Sequence, residues 1–259
     1  MDLGIAGRTA IVCASSRGLG RACAEALAEA GCIVVVNGRD PETLGRTADE
    51  IRTATGAEVL VAVADVSTAE GQAAILDVAP QPDILVNNNG GPPFRDFRAL
   101  DREQMLAGVT ANMVAPIELI QAVIDPMVER GFGRIVNITS GSVKMPLAGL
   151  DLSSGARAGL TAFLAGVART VAAANVTINN LLPGAFDTDR LRSNFASNAA
   201  VRGHSLEQEE DRRLASIPAR RLGTPAEFGA ACAFLCSAHT GYITGQNLLI
   251  DGGAFPGTM

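Results

Sequence analysis

A glycine-bearing turn near the start of the chain has the composition of a phosphate-binding loop. In "CASSRGLGRACAEAL", Gly18 and Gly20 follow an apolar run and precede a stretch whose apolar residues have helical spacing. Glycines at such a turn leave room for backbone N–H groups to approach a pyrophosphate. Glycine pairs also occur in strand-to-helix turns that bind nothing, but a position after the first strand favours dinucleotide binding. The residues expected to bind the cofactor here are Ala14, Ser15, Ser16, Arg17, Gly18, Leu19 and Gly20.

The nucleotide preference follows from the charges near the end of the second apolar run, "VVVNGRD". NAD sites place an acidic residue at this strand end to bind the ribose hydroxyls, whereas this chain has Asn37 and Arg39 as its cofactor-binding candidates. Arg39 and Arg17 can flank a 2′-phosphate with planar charged donors, although solvated surface arginines have the same pattern. Asp40 precedes Pro41 and is expected to cap a helix rather than bind ribose. The sequence therefore favours NADP(H) over NAD(H).

These residues must be positioned by short runs rich in valine and isoleucine, which alternate with helical stretches. The apolar runs predict buried strands, and they read "TAIVCA", "CIVVVN", "EVLVAVAD", "DILVNN", "GRIVNIT", "VTINNLL" and "NLLID". Strands that alternate with helical crossovers predict an α/β fold, here a doubly wound Rossmann sheet of seven parallel strands with helices on both faces. No break in composition divides residues 1–259, so we expect a single domain. The polar segment at about 186–218 is expected to be a substrate lid.

Composition and charge limit the classes of partner and location. The net charge is −6 and the arginines are dispersed, which argues against nucleic acid or an anionic membrane surface as a partner. Polar residues interrupt every apolar run, so we expect no membrane span, and "MDLGIAGRTAIV" lacks a secretion signal. The five cysteines are expected to be buried free thiols in a reducing cytoplasm. Cys232, Cys236 and His239 are too few for a metal site, and we expect none.

Further motifs along the chain make it resemble a known family. "ADVS" contains Asp65 and Val66, "NNNG" spans Asn87 to Gly90, and "PGAFDT" spans Pro183 to Thr188. With the glycine turn, these motifs resemble those of the short-chain dehydrogenases/reductases, most of all the 3-oxoacyl-acyl-carrier-protein reductase-like members. The resemblance implies that the cofactor is also bound by Asp65, Val66, Asn88, Asn89, Gly90, Arg157, Pro183, Gly184 and Thr188.

The first two residues of the glycine turn depart from the family pattern. The family turn reads T-G-x-x-x-G-x-G, and here Cys13 and Ala14 replace its Thr and its first Gly. An alanine fits this turn without strain only if its φ is negative.

The catalytic residues that the resemblance implies are Ser140, Ser153, Arg157 and Asn112. Ser140 stands where the family has its carbonyl-binding Ser, and Asn112 where it has an Asn that holds a relay water. Ser153 and Arg157, in "LDLSSGARAGLTAFL", stand at the positions of the family Tyr and Lys.

The two replacements change the acid chemistry of the expected site. A tyrosine hydroxyl has a pKa near 10 that an adjacent cation lowers, whereas a serine alcohol is a far weaker acid and its side chain is shorter. Arg157 keeps the positive charge but cannot give up a proton. We therefore predict that the usual proton relay is broken at two members. A water, Lys144, Asp151 or His204 remains as a possible proton source, whereas Tyr242 lies in a segment remote from the nicotinamide.

Three functions from different classes are compatible with these residues. The first is an NADP(H)-dependent oxidoreductase acting on a carbonyl/alcohol pair, slow on ordinary substrates, because Ser140 and hydride proximity still lower the barrier. The second is a nucleotide-binding, reductase-like pseudoenzyme without redox turnover. The third, a halohydrin-dehalogenase-like lyase, is disfavoured, since those enzymes keep the Tyr and lose the glycine turn.

The expected partners are a small carbonyl or acyl compound and further copies of the same chain. By resemblance, the helices Asn112–Arg130 and Ser154–Ala173 pack against symmetry mates. Both helices carry more apolar surface than one buried face requires, as "VAPIELIQAVIDPM" and "ARAGLTAFLAGVA" show. We therefore expect a homotetramer, or at least a homodimer.

Overall fold

The seven apolar runs form one parallel sheet in the computed structural model, which describes residues 2–92 and 94–258. Its strand order is β3-β2-β1-β4-β5-β6-β7, and every pairing is parallel. The strands are β1 (Thr9–Val12), β2 (Ile33–Gly38), β3 (Val59–Val63), β4 (Ile84–Asn87), β5 (Gly133–Ile138), β6 (Val176–Pro183) and β7 (Asn247–Ile250). The predicted Rossmann topology is confirmed.

Helices separate the strands as the alternating pattern predicts. They are α1 (Gly18–Glu29), α2 (Pro41–Thr55), α3 (Ala69–Val78), α4 (Arg102–Val109), α5 (Ala115–Arg130), α6 (Asp151–Val171), α7 (Asp189–Arg202), α8 (Leu206–Ala215) and α9 (Pro225–Cys236). The termini of α2 follow local rules: the Asp40 carboxylate accepts from the Thr43 N–H, Pro41 stands in the first turn, and Gly56 ends the helix with φ 71°. Asp40 is thus the helix cap that the sequence predicts.

Two hydrophobic layers cover the two faces of the sheet. On one face, α1, α2 and α9 bury residues such as Leu27, Leu44 and Phe228 against the strands. On the other, α3, α5 and α6 bury residues such as Val123 and Leu160. Because the central strands are buried on both faces, they read as nearly continuous apolar runs.

One long helix corrects the expectation that no segment is apolar enough to span a membrane. The helices α4 and α5 are joined by a turn of π-helix over Thr110–Val114, so that Arg102–Arg130 is one helix of 29 residues. An 18-residue stretch of this helix has mean hydropathy 1.4. By length and composition alone this helix could cross a bilayer. Its inner face, with Leu119 and Met127, packs on the sheet as a layer helix of an α/β fold does.

A ladder of asparagine amides links four adjacent strands. The Nδ2 of Asn87 donates to Oδ1 of Asn137 (2.9 Å), Nδ2 of Asn137 to Oδ1 of Asn180 (3.1 Å), and Nδ2 of Asn180 to Oδ1 of Asn247 (2.8 Å). The same residues are paired in register across β4, β5, β6 and β7. Buried amides that are bonded in this way favour one register, because a slipped strand would leave them unpaired.

Candidate active site

A cavity of about 720 Å³ opens at the carboxyl ends of the strands, beside the point where the strand order reverses between β1 and β4. Ligands of doubly wound sheets bind in this crevice. Most of the residues singled out from the sequence line it, although they are far apart in the chain. They are Ala14, Ser16, Arg17, Gly18, Leu19, Asn37, Arg39, Asp65, Val66, Asn88, Asn89, Gly90, Ser140, Ser153, Arg157, Pro183, Gly184 and Thr188.

Ala14, in the glycine turn, has a conformation that the sequence did not predict. Ala14 has φ +45°, so the condition of a negative φ is not met. The left-handed region costs a residue with a Cβ about 1–2 kcal/mol. Two asparagines hold it there: Oδ1 of Asn37 accepts from the Ala14 N–H (3.0 Å), and Nδ2 of Asn88 donates to the Ala14 carbonyl (3.1 Å).

Ser15 and Gly20 lie outside the cavity lining and shape the turn from behind. Ser15 is fully buried; its Oγ donates to the Val12 carbonyl (2.7 Å) and accepts from the Asn37 N–H (2.9 Å). A Cβ at Gly20 would lie 2.5 Å from the Ala14 carbonyl oxygen and 2.7 Å from Nδ2 of Asn88. The second glycine is therefore required by the close approach of α1 to the turn.

The adenosine end of the cavity carries two arginines. Arg17 and Arg39 both line it, and the Arg39 guanidinium lies 3.7 Å from the Asp65 carboxylate. Hydrogen bonds from Ser67 are the largest cause of the lowered pKa of Asp65, and the charge of Arg39 adds to them. Asp65 is thus held by its own loop, so the exposed Arg39 side chain remains available to an anion.

The end of the cavity beside β5 holds Ser140, Ser153 and Arg157, which β5 and α6 bring together. Ser140 follows β5 and caps a short 3-10 helix, where its Oγ accepts from the Ser142 N–H. Because α6 begins at Asp151, Ser153 and Arg157 lie one helical turn apart on one face. Nε of Arg157 donates to Oγ of Ser153 (3.3 Å).

Arg157 is anchored to the end of β5 and keeps its charge. Its Nη1 donates to the carbonyls of Ile138 and Thr139, both at 2.7 Å. Burial lowers the pKa of Arg157 to about 10, and the charge of Arg190 contributes. At neutral pH the guanidinium is still protonated, so it acts as a fixed positive charge and not as a proton donor.

Asn112 lies on the π-helical turn between α4 and α5. It is buried in the π-helix, outside the cavity lining, and its Nδ2 donates to the Gly108 carbonyl (3.1 Å). Nδ2 of Asn89, which does line the cavity, donates to the Ala111 carbonyl (3.1 Å). The π-turn is therefore tied to the β4 end of the site, and the relay role of Asn112 stays a prediction.

The alternative proton donors lie away from the cavity wall formed by the described residues. Lys144 and Asp151 are near Ser140 and Ser153 in the chain, but neither lines the cavity. His204 pairs through Nδ1 with Oε1 of Glu209 (2.7 Å) at the junction of α7 and α8, and Tyr242 is fully exposed. The geometry therefore favours solvent as the source of the proton.

The predicted lid consists of α7 and α8, and it contributes lining residues that the sequence analysis did not assign to the site. Its base is anchored by Phe186, which packs edge-to-face on Phe228 with 5.2 Å between ring centroids. Arg190 lines the cavity and donates from Nη2 to the carbonyls of Gly91 (3.3 Å) and Pro92 (3.4 Å). The local sequence holds no signal for these contacts, because they join segments far apart in the chain.

The family is settled by comparison of the whole chain. A family model described as enoyl-(acyl carrier protein) reductase matches residues 13–254. Nodulation protein G of Azospirillum brasilense is 36% identical over 257 residues, which cover 95% of this chain and 97% of that protein. The chain is a short-chain dehydrogenase/reductase. The predicted resemblance is confirmed.

Two further relatives of this short-chain dehydrogenase/reductase have named activities. A 3-oxoacyl-[acyl-carrier-protein] reductase of Vibrio cholerae is 32% identical over 254 residues, covering 98% of this chain and 99% of that protein. The crystal structure of L-sorbose reductase from Gluconobacter frateurii, complexed with NADPH and L-sorbose, superposes with a TM-score of 0.94. Its identity is 27%, and the match covers 99% of this chain and 100% of that one.

The contact between Gly20 and the Ala14 carbonyl predicts a specific defect. In Gly20→Ala, the added Cβ must displace the turn, so we expect the dissociation constant for NADPH, measured by fluorescence titration, to rise at least about tenfold. Gly45→Ala is the matched control: this helical glycine has nothing within 4 Å of a Cβ. It should leave NADPH binding unchanged and stabilise α2 by roughly 0.5–1 kcal/mol. Unchanged NADPH affinity in Gly20→Ala would show that the turn does not position the cofactor.

Proposed function

We propose that this short-chain dehydrogenase/reductase is an NADP(H)-dependent oxidoreductase that interconverts a small-molecule carbonyl and its alcohol. The observation that carries the proposal is the single cavity in which the phosphate-binding turn and the Ser140–Ser153–Arg157 group meet. The named reductases among its relatives support the reaction class. Five buried free cysteines support a location in the reducing cytoplasm.

The turn and the strand ends around it fit a dinucleotide. The start of α1, with Gly18, offers backbone N–H groups to the pyrophosphate, and Asp65 and Val66 flank the adenine position. Arg17 and Arg39 fit a 2′-phosphate, and the NADPH complex of L-sorbose reductase supports this choice of cofactor. Asn89, Gly90, Pro183, Gly184 and Thr188 also line the cavity, and we assign the nicotinamide half of the cofactor to them.

The residues at the carbonyl end have separate tasks in the proposed reaction. The bound cofactor supplies or accepts a hydride. The Ser140 hydroxyl donates a hydrogen bond to the substrate oxygen. The Ser153 oxygen accepts a hydrogen bond from Arg157, so the Ser153 hydroxyl proton can be donated to the substrate oxygen as well. The charge of Arg157 stabilises the negative charge that develops there.

The site differs from the family pattern in lacking a positioned acid. Serine hydroxyls orient the substrate but do not release a proton at neutral pH, so a solvent water must supply it. General acid catalysis by a positioned group contributes about 10²–10⁴-fold. We therefore propose slow turnover of ordinary ketones, whereas NADPH binding without any turnover would favour the pseudoenzyme.

The arginines at the adenosine end predict a cofactor preference. NADPH should bind more tightly than NADH, and Arg39→Ala or Arg17→Ala should reduce that preference about tenfold each, as loss of a charged hydrogen bond does. Arg46→Ala, on the outer side of α2, serves as the control. Fluorescence titration of both nucleotides decides the matter, and equal affinities in the parent protein would exclude the assignment.

Restoring the family acid should restore its chemistry. The double change Ser153→Tyr with Arg157→Lys should raise kcat/KM for NADPH-dependent reduction of one activated ketone about 10²-fold or more. Ser153→Tyr alone should do less, because the Arg157 guanidinium occupies the space beside position 153. Ser140→Ala should lower the activity of the parent. An active parent that tolerates Ser140→Ala would place the chemistry elsewhere.

We also propose a homotetramer, or at least a homodimer, formed through the long helices. Val128 on α5 and Phe163 on α6 are 36% and 47% exposed in a single chain, and Leu248 on the edge strand β7 is 39% exposed. Sedimentation at micromolar concentration should show the oligomer, and Phe163→Asp should weaken it. A monomeric parent protein would remove the basis for the proposal.

A further inference from the structure

Two arginines at the carbonyl end of the cavity lack carboxylate partners. Arg157 and Arg190 both line this end, and neither forms an ion pair with an acidic residue in the described part of the chain. Asp189 also lines the cavity, and its charge contributes to the raised pKa of Arg192. The Arg192 guanidinium itself donates to the Asp187 carboxylate. The two guanidiniums are close enough for Arg190 to contribute to the lowered pKa of Arg157. Two like charges held together favour an anion between them.

Arg134 shows what a buried arginine requires when it has only a structural role. It is fully buried, and its Nε, Nη1 and Nη2 all donate to oxygen acceptors of the chain. Arg157 is 8% exposed, yet only its Nε and Nη1 have hydrogen bonds to described residues. Because Arg157 lines the cavity, its Nη2 can donate to a ligand there.

The cofactor pyrophosphate is too distant to satisfy Arg157. The phosphate-binding turn follows β1, whereas Arg157 is anchored on the last residues of β5, and β4 lies between these strands. At a strand spacing of about 4.8 Å, the two positions are roughly 10 Å apart. Nicotinamide ribose offers hydroxyls to Nη2 but no charge. We therefore assign to the substrate an anion that contacts Arg157 together with Arg190.

We propose that Arg157 and Arg190 bind a carboxylate of the substrate, so that the protein acts on small oxo acids and the corresponding hydroxy acids. The proposal rests on the proposed function. The planar guanidinium of arginine matches the planar carboxylate. Ser140 follows Thr139, whose carbonyl anchors Arg157, so it places the reacting carbonyl of the substrate beside the carboxylate. In the reductive direction, the cofactor hydride forms the new C–H bond, the C=O π pair becomes the alkoxide, and water protonates it. The products are a hydroxy acid, the oxidised cofactor and hydroxide.

The test measures binding without turnover. The NADPH complex is titrated calorimetrically with oxamate and with oxamide, its neutral isostere. We expect oxamate to bind at least about tenfold more tightly than oxamide, and Arg190→Gln to abolish most of that difference with little change in NADPH affinity. Arg192→Gln, on the same helix but paired with Asp187 outside the cavity, should preserve it. Arg157→Lys, which keeps the charge, should retain part of it.

Two binding results and one kinetic result would overturn the proposal. One is equal affinity for oxamate and oxamide in the parent. The other is an Arg190→Gln variant that binds NADPH about tenfold more weakly but keeps the preference for oxamate, since Arg190 would then serve the cofactor phosphates. Because the titration needs no catalysis, an Arg190-dependent oxamate site in an inactive protein would support the carboxylate site and refute the reductase function. Reduction of neutral and anionic ketones with equal kcat/KM would support the reductase function and refute the carboxylate site.

Discussion

The nucleotide half of the site depends on the way in which one peptide segment is held between two strands. Asn37 at the end of β2 accepts from the N–H of Ala14, and Asn88, just after β4, donates to its carbonyl. These bonds keep an alanine in a left-handed conformation that costs about 1–2 kcal/mol. They also bring the Ala14 carbonyl to the position where only a glycine at residue 20 allows α1 to pass. The direction of α1, and with it the phosphate-binding turn, follows from this contact.

The carbonyl half depends on a comparable attachment at the end of β5. The asparagine ladder holds β4, β5, β6 and β7 in register, so that Ser140 and Pro183 leave their strands side by side at the cavity. Arg157 then spans from α6 to the carbonyls of Ile138 and Thr139. A cation fixed by backbone carbonyls is well placed to stabilise developing negative charge. It does not replace a phenol, because neither it nor Ser153 releases a proton at neutral pH.

The lid and the loop after β4 connect the two halves of the site. Arg190 reaches from the first turn of α7 to the carbonyls of Gly91 and Pro92. The lid base is packed on α9 by the Phe186–Phe228 contact, which leaves no room for a side chain at Gly223. The lid thus brings a second positive charge to the end of the cavity that holds Arg157, and the electrostatics of this end come from two elements distant in the sequence.

The sequence by itself determined the elements and the strand ends where the site lies. Uninterrupted apolar runs mark strands buried on both faces, and Asp40 and Gly56 mark helix termini, because these signals arise within a few residues. The resemblance to the family singled out Ser140, Ser153 and Arg157, and all three line one cavity in the structure. Tertiary structure alone decided the φ of Ala14, the inward turn of Ser15, the burial of Asn112 and the entry of Arg190 into the cavity. Each of these depends on a partner in another segment, and the energy of such a contact exists only once the sheet has brought the segments together.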